Sequence, residues 1–457
     1  MNDFSVSGKR VVVVGAARSG IAAAELLASR GARVLLSEMR PALEQEAHLR
    51  DLGVEVELGG HRVETLTSAD LIVMSPGVPM DQPPIQAARR AGVPVIGEIE
   101  LASRWLRGRL IAITGTKGKS TTTTLAARIL AAGGFHTLVG GNIGVPLSAE
   151  IDRSTPDTVN VVEVSSFQLE ATETFHPWVA VLLNFSPDHL DRHPSVEAYA
   201  EAKARIFANQ TESDWAVINA DDPQALALAR KGRARQLRFA LESPIEEGIV
   251  VSGDAIVHKV SRDQMPLLPL SVVRLTGRHL LADVLAATAV GRLAGVAPEA
   301  MVRAVEAFTG LEHAMEPAGE VEGVRFVNDS KATNIESARR SIESFAGGVV
   351  PIMGGRFKGG DFRSLRDIVR AHARAVIAIG EARGAIQEAF KDLLEVRTAE
   401  SMESAVRSAF AIARPDGIVL LAPACASFDM FTDYAERGRV FKGEVARLAE
   451  ERTRREQ

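Results

Sequence analysis

Residues 111–123 read Ile-Ala-Ile-Thr-Gly-Thr-Lys-Gly-Lys-Ser-Thr-Thr-Thr and carry the most specific chemistry in the chain. An apolar strand ends at Thr114. Gly115 and Gly118, with Thr116 and Lys117 between them, allow a tight turn whose N–H groups can face phosphate oxygens. Lys119 adds a point charge for the outer phosphates, and Ser120 offers a hydroxyl to Mg2+. The helix that carries Thr121 presents its positive end to the same place. The spacing G-x-x-G-K-S is shorter than the usual G-x-x-x-x-G-K-[ST], whose first glycine would fall at Ile113. The strand–turn–helix context still favours a phosphate cradle over a glycine turn beside a solvated lysine.

Other side chains could complete such a site. Glu163 ends the apolar run Asn160-Val-Val-Glu163, where a carboxylate can reach a phosphate-bound Mg2+ or can simply face solvent. His189 follows another strand, in a loop with Asp188 and Asp191; a lone loop histidine is usually solvated. Lys203 lies in a helical stretch, Val196 to Phe207, capped by Ser195, and on pattern alone is an exposed helical lysine. Asn142 sits in a glycine-rich loop, as a phosphate contact or as a turn residue of positive φ. Asp329 and Lys331 occupy a turn directly after the run Val324–Val327. Near the N-terminus, Gly15-Ala-Ala-Arg-Ser-Gly20 lies between strand and helix, with Glu38 about 20 residues on. That invites a nicotinamide-dependent oxidoreductase, but Ala17 replaces the second glycine and the motif alone is weak.

The elements that position these groups alternate. Val11–Val14, Val34–Leu36, Val54–Leu58, Leu71–Met74 and Val93–Ile96 read as strands, with helical stretches such as Ile21–Ser29 and Pro84–Ala91 between them. This rhythm predicts a parallel sheet with helices on its faces. It restarts at Leu110–Thr114 and continues through Val159–Glu163, Val179–Asn184 and Ala216–Asn219. Residues 235–275 are β-branched and turn-rich and read as antiparallel strands, followed by a helix from about Leu280 to Leu293. A third alternation runs through Val324–Val327, Val349–Met353, Val376–Ile379 and Ile418–Leu421. A length of 457 residues fits about three domains, with boundaries near 98 and 310: residues 1–98, 99–310 and 311–457.

Hydrophobic residues at 46% and charged residues at 24% describe a globular chain. A net charge of −5 gives no basic footprint for nucleic acid or an anionic membrane. Cys425 stands alone, so no intrachain disulfide forms. No run is apolar and long enough for a signal segment or a membrane span, and the chain is expected in the cytoplasm.

Motifs then fall in order along the chain: T-G-T-K-G-K-S-T in the phosphate loop, G-G-N-I-G (140–144), E-V-S-S-F-Q-L-E (163–170), N-F-S-P-D-H-L-D-R-H (184–193), A-K-A-R-I-F (202–207), N-D-S-K-A-T-N (328–334) and P-A-C-A-S-F-D-M-F (423–431). The set resembles the Mur ligases. The last two motifs resemble the D-glutamate-adding branch, and the D-N-P-R-type motif of the diaminopimelate- or lysine-adding branch is not found. The resemblance implies three α/β domains: a Rossmann-like N-terminal domain for the UDP substrate, a central P-loop ATPase-like domain with a mostly parallel sheet, and a Rossmann-like C-terminal domain closing over ATP and the amino acid. It implies ATP-dependent ligation of D-glutamate to UDP-N-acetylmuramoyl-L-alanine through an acyl phosphate, by a monomer acting on small molecules.

By the same resemblance, ATP meets Gly115 to Thr121, Asp329 and Lys331, and Lys119, His189 and Lys203 are catalytic. Two Mg2+ ions are held by Ser120, Glu163, His189 and Lys203, the last as a carbamate formed with CO2. Carbamylation needs a neutral amine, hence a lowered pKa at Lys203. Arg18, Ser19, Glu38, Arg40, Ser75, Gly77 and Asn142 contact the UDP substrate. Lys331, Thr333, Lys358, Ser427 and Tyr434 contact D-glutamate, and Phe428 is read as packing. Two segments depart from the pattern. Ala314 stands where the family carries an arginine near the ATP phosphates, with Lys117 as a candidate replacement cation. Leu280 and Asp283 replace two asparagines. A folylpolyglutamate synthase, a sibling Mur ligase and a non-catalytic nucleotide-binding scaffold are the remaining readings.

Overall fold

A computed structural model describes residues 4–188, 192–275, 277–357 and 359–456. The chain forms two compact units. The first holds residues 1–273 and 279–308; the second holds 274–278 and 309–457. Leu275 packs within the second unit, 3.4 Å from where a Cβ on Gly310 would sit.

The first unit carries two sheets. In the five-stranded sheet the order is Glu55–Leu58, Arg33–Glu38, Arg10–Val14, Leu71–Met74, Val95–Gly97. Every pairing is parallel. The central strand is the run Val11–Val14, buried on both faces, as a strand sandwiched between helix layers must be. The second sheet has nine strands, ordered Asp263–Pro269, Ala255–Val260, Glu247–Ser252, Arg235–Ala240, Trp215–Asn219, Val179–Leu182, Arg109–Thr114, Thr158–Glu163, His136–Gly141. The expectation of an antiparallel region over 235–275 is met only in part. Strands Glu247–Ser252, Ala255–Val260 and Asp263–Pro269 form an antiparallel meander, but Arg235–Ala240 pairs parallel with both of its neighbours. Its alternating Leu237 and Phe239 face the core, a pattern that either pairing satisfies.

The second unit has a six-stranded sheet, ordered Glu316–Val321, Val324–Asn328, Ile418–Leu421, Val349–Gly354, Ala375–Ile379, Glu395–Thr398. All pairs are parallel except the first. The architecture is α/β with mostly parallel sheets, as the alternation predicted. Three strands escape the sequence reading: His136–Gly141, Glu316–Val321 and Glu395–Thr398. All three are sheet edges, where half of the residues face water and apolar runs are absent.

A buried carboxylate helps to join the regions of the first two sheets. Glu100, on the short helix Glu98–Ser103, is fully buried. It accepts N–H bonds from Glu173, Thr174 and Phe175, the Thr174 hydroxyl at 2.6 Å and Arg104 Nε at 2.8 Å. Burial pushes this carboxyl up, but the bonds from Thr174, Glu173 and Arg104 more than offset it and hold it below its ordinary value. Its stabilisation is therefore present at neutral pH and is lost as pH falls through the folded-state pKa. Glu100→Gln is expected to lower unfolding stability by about 2 kcal/mol at neutral pH, and the gap to wild type should narrow in acid. Urea titrations at both pH values check this; a gap that widens in acid would sink it.

Candidate functional site

The parallel strands of the nine-stranded sheet aim their carboxyl ends at one edge, where open α/β sheets bind ligands. Strand Arg109–Thr114 ends in the phosphate loop, and the helix Lys119–Ala132 starts from Gly118, which is left-handed at φ +83° and has no side chain to cap it. Gly118 is also pressed against the buried carboxyl of Asp283, so a Cβ there would collide with Oδ1. This places the departure at Asp283 directly against the loop. Lys119 Nζ donates to the carbonyls of Gly115 at 3.0 Å and Thr116 at 3.1 Å. Lys117 Nζ stands 3.7 Å from Asp188.

Asn184 sets the turn, although the sequence reading gave it no role. Its Oδ1 accepts the N–H of Thr116 at 3.1 Å and of Lys117 at 2.9 Å, while its Nδ2 donates to Lys117 O at 3.1 Å. One amide thus closes three bonds on consecutive loop residues. The available signal was an asparagine directly after a buried strand.

Glu163 ends the neighbouring strand and is 1% exposed. Oε1 accepts from Asn142 Nδ2 at 2.7 Å, and the Asn142 N–H donates to the Glu163 carbonyl at 2.9 Å. Oε2 is buried with no hydrogen-bond partner among the described residues. A buried anionic oxygen left open in this way suits a hard divalent cation. Among the described residues no three His, Cys, Asp or Glu side chains converge as a ready-made cation cage, and His189 lies outside them.

Lys203 is buried, not the exposed helical lysine its pattern describes. It is 1% exposed and its Nζ donates to Gly115 O at 2.8 Å. Burial lowers its pKa well below the ordinary lysine value, and the charge of Lys119 lowers it further against the opposing pull of Asp188 and Glu163. These groups therefore share one neighbourhood. A lysine so placed can hold a neutral, nucleophilic amine.

The five-stranded sheet ends at a cavity of about 620 Å3 lined by Arg18, Glu38, Arg40, His61, Ser75 and Gly77. Glu38 is not an open acceptor there. Oε2 accepts the Ala16 N–H at 2.6 Å, Oε1 accepts the Arg40 N–H at 3.0 Å, and the Arg40 guanidinium lies 3.2 Å away. Burial would raise this carboxyl, but the bonds from Arg40 and Ala16 hold it below its ordinary value. Glu38 thus fastens the glycine loop to Arg40. An adjoining cavity of about 260 Å3 is lined by Arg18, Ser19, Ser75, Gly77, Asn142 and Gln168. Arg18 donates to Gly144 O at 2.6 Å, and Arg192 reaches Pro76 O at 3.2 Å, a second contact with no warning in the sequence.

In the second unit, the turn after Val324–Asn328 holds Asp329 and Lys331. Asp329 Oδ1 accepts Met315 N–H at 3.0 Å and Oδ2 accepts the Ser341 hydroxyl. Lys331 N–H donates to His313 O at 3.0 Å, and Thr333 N–H to Lys331 O at 2.8 Å. The segment carrying Ala314 is tightly folded, with positive φ at His313 and Met315. Ser427, in the loop after Ile418–Leu421, is buried, whereas Tyr434 is exposed. Phe428, read from the sequence as packing, is 58% exposed, because the turn that buries Ser427 points its neighbour outward. Lys358 lies outside the described residues.

Gly118→Ala is expected to weaken ATP binding at least tenfold in titration calorimetry with the circular dichroism spectrum unchanged, since any side chain there is strained and meets Asp283. Unchanged affinity would separate this loop from nucleotide binding.

Comparison with known proteins finds three matching segments. Residues 9–97 match the Mur ligase MurD-like N-terminal domain, residues 113–291 the Mur ligase middle domain, and residues 315–425 the Mur ligase glutamate ligase domain. The UDP-N-acetylmuramoylalanine–D-glutamate ligase of Koribacter versatilis is 45% identical over 451 residues, covering 98% of this chain and 99% of that protein. That of Acidobacterium capsulatum is 46% identical over 447 residues, covering 96% of each. Among solved structures, the UDP-N-acetylmuramate-alanine ligase MurC of Thermotoga maritima shares the fold with a TM-score of 0.59 at 19% identity, over 96% of this chain and all of that one. A pseudomurein peptide ligase type C from Methanothermus fervidus gives the same TM-score at 18% identity, over 96% of this chain and all of that one. The chain belongs to the Mur ligase family.

Proposed function

We propose that this enzyme joins D-glutamate to UDP-N-acetylmuramoyl-L-alanine, with ATP converted to ADP and phosphate. The observation that carries the reading is the phosphate loop packed around a buried lysine amine beside the half-satisfied Glu163, in a chain about 45% identical end to end to ligases of that name. In this reading residues 1–98 hold the UDP substrate in the cavities around Arg18, Ser75 and Asn142. Residues 99–310 carry the phosphate loop, and residues 311–457 hold the amino acid with Lys331, Thr333, Lys358, Ser427 and Tyr434. The protein acts as a cytoplasmic monomer. Among the described residues no helix is long and apolar enough to cross a membrane.

The substrate carboxylate oxygen attacks the γ-phosphorus, the bond to the bridging oxygen breaks, and ADP leaves. The D-glutamate amine, neutral at attack, then bonds to the acyl carbon, loses a proton, and expels phosphate from the tetrahedral intermediate. Lys119 and the amides at the start of its helix meet the charge that accumulates on the transferred group. Ser120, Glu163, His189 and a carbamylated Lys203 are the residues that would hold two Mg2+ ions. Bound there, the ions neutralise phosphate charge and polarise the transferred group.

Phosphate release with ATP, Mg2+, bicarbonate and UDP-N-acetylmuramoyl-L-alanine should require D-glutamate and not L-glutamate or L-lysine. Release driven by another amino acid moves the chain to a sibling activity, and none at all supports the non-catalytic scaffold. For Lys203, 13C-bicarbonate should give a carbamate carbon resonance that strengthens with pH, because CO2 adds only to the neutral amine, and that is missing in Lys203→Arg. Its absence from wild type would remove the carbamate.

A further inference from the structure

One buried cation in the second unit has no place in this chemistry. Arg437 lies in the first turn of the helix Tyr434–Glu456 and is 1% exposed, though the local sequence Ala-Glu-Arg-Gly-Arg reads as a helix surface. Its guanidinium makes three hydrogen bonds, all to uncharged oxygens: Nε to Ser330 Oγ at 2.9 Å, Nη2 to Ser330 O at 2.8 Å, and Nη1 to Cys425 O at 3.1 Å. Ser330, itself fully buried, passes the link on by donating its hydroxyl to Tyr434 O at 2.7 Å. Burial lowers the arginine's pKa to about 10, so it stays charged at neutral pH.

A charge taken out of water without a carboxylate bonded to it is expensive, and an apolar residue of similar size would pack the same space at less cost. What an arginine adds is a planar fork that holds two separate backbone segments at once. Those segments matter. Ser330 stands between Asp329 and Lys331, Cys425 lies two residues before Ser427, and Tyr434 receives the relay. The turn and the loop also touch directly, with Ala424 N–H donating to Ala332 O at 2.9 Å. Ala424 adopts φ +56°, a left-handed conformation that an L-residue holds only when its surroundings fix it.

We propose that Arg437 is a positioning residue that locks the 328–331 turn to the 423–427 loop, so that the nucleotide and amino-acid contacts of the second unit form and loosen together. The proposal rests on the amino-acid contacts given under Proposed function and on Asp329 and Lys331 as the nucleotide contacts that the resemblance implies, and adds a coupling between them. Losing the fork frees both segments at once, whereas losing Ser427 on the loop touches a single ligand.

The test uses the intact chain with Arg437→Lys, which keeps the charge but not the fork, and the milder Ser330→Ala, which removes the relay and one of the fork's three bonds. Wild type is first assayed with D-glutamate, L-glutamate and L-lysine, and the amino acid that supports phosphate release is used throughout. A wrong amino-acid assignment thus shows in wild type, not in the variants. Both variants are expected to raise the KM for ATP and the KM for the amino acid together, each about tenfold, and the double variant should be no worse than Arg437→Lys alone, because the two residues act in one linkage. Ser427→Ala should raise only the amino-acid KM. Melting shifts induced by an ATP analogue, by the amino acid and by both report the same coupling without turnover. One KM moving alone, or a lower melting temperature with both KM values and both ligand-induced shifts intact, overturns the proposal.

Discussion

Lys203 holds its amine 2.8 Å from the Gly115 carbonyl with almost no surface left to solvent, and Lys119 sends its own ammonium to the same carbonyl at 3.0 Å. Two cationic groups sharing one acceptor in a poorly hydrated place repel each other unless anions or deprotonation relieve them. The surroundings follow from that constraint. Glu163 and Asp188 oppose the field at Lys203. Asn184 closes the loop with a neutral amide where an additional charge would have disturbed the balance. The arrangement is poised for a polyanion and for an amine that reacts in its neutral form.

Both units solve the same geometric problem. Parallel strands bring their carboxyl ends to one edge, and the loops leaving those ends must find partners for backbone groups that the sheet no longer satisfies. In the first unit an asparagine side chain and glycine conformations do this. In the second, Asp329 gathers Met315 and Ser341 while Arg437 gathers Ser330 and Cys425. Each loop is therefore held by side-chain bonds to its own backbone and to its neighbours. Glu38 does the same in the five-stranded sheet, accepting the N–H groups of Ala16 and Arg40.

What could be read from the sequence was local. The Val11–Val14 run, the cradle at 111–123 and the Ser195 cap, whose hydroxyl accepts Ala198 N–H at 3.2 Å, each depend on residues within a few positions of one another. Three edge strands stayed hidden because their polar faces remove the apolar signal, as in Glu395-Val-Arg-Thr398. The pattern at Lys203 misleads, and Arg437 drew no reading, for a related reason. Each sits on a helix whose periodicity is compatible with exposure, and each is buried by chain far away in sequence, Gly115 in one case and Cys425 with Ser330 in the other. The resemblance named the functional neighbourhood of Lys203; nothing in the spacing did.

The second unit is not one continuous stretch of chain, because residues 274–278 belong to it while 279–308 return to the first. Inheritance by recombination is constrained accordingly. A crossover near residue 308 would deliver a foreign second unit and leave the host's own five-residue strip, with Leu275 against a Gly310 it did not evolve beside. Swapping the C-terminal part between relatives therefore demands that this strip travel with it, or that it drift in step. Chimaeras that move both pieces should be the ones that survive.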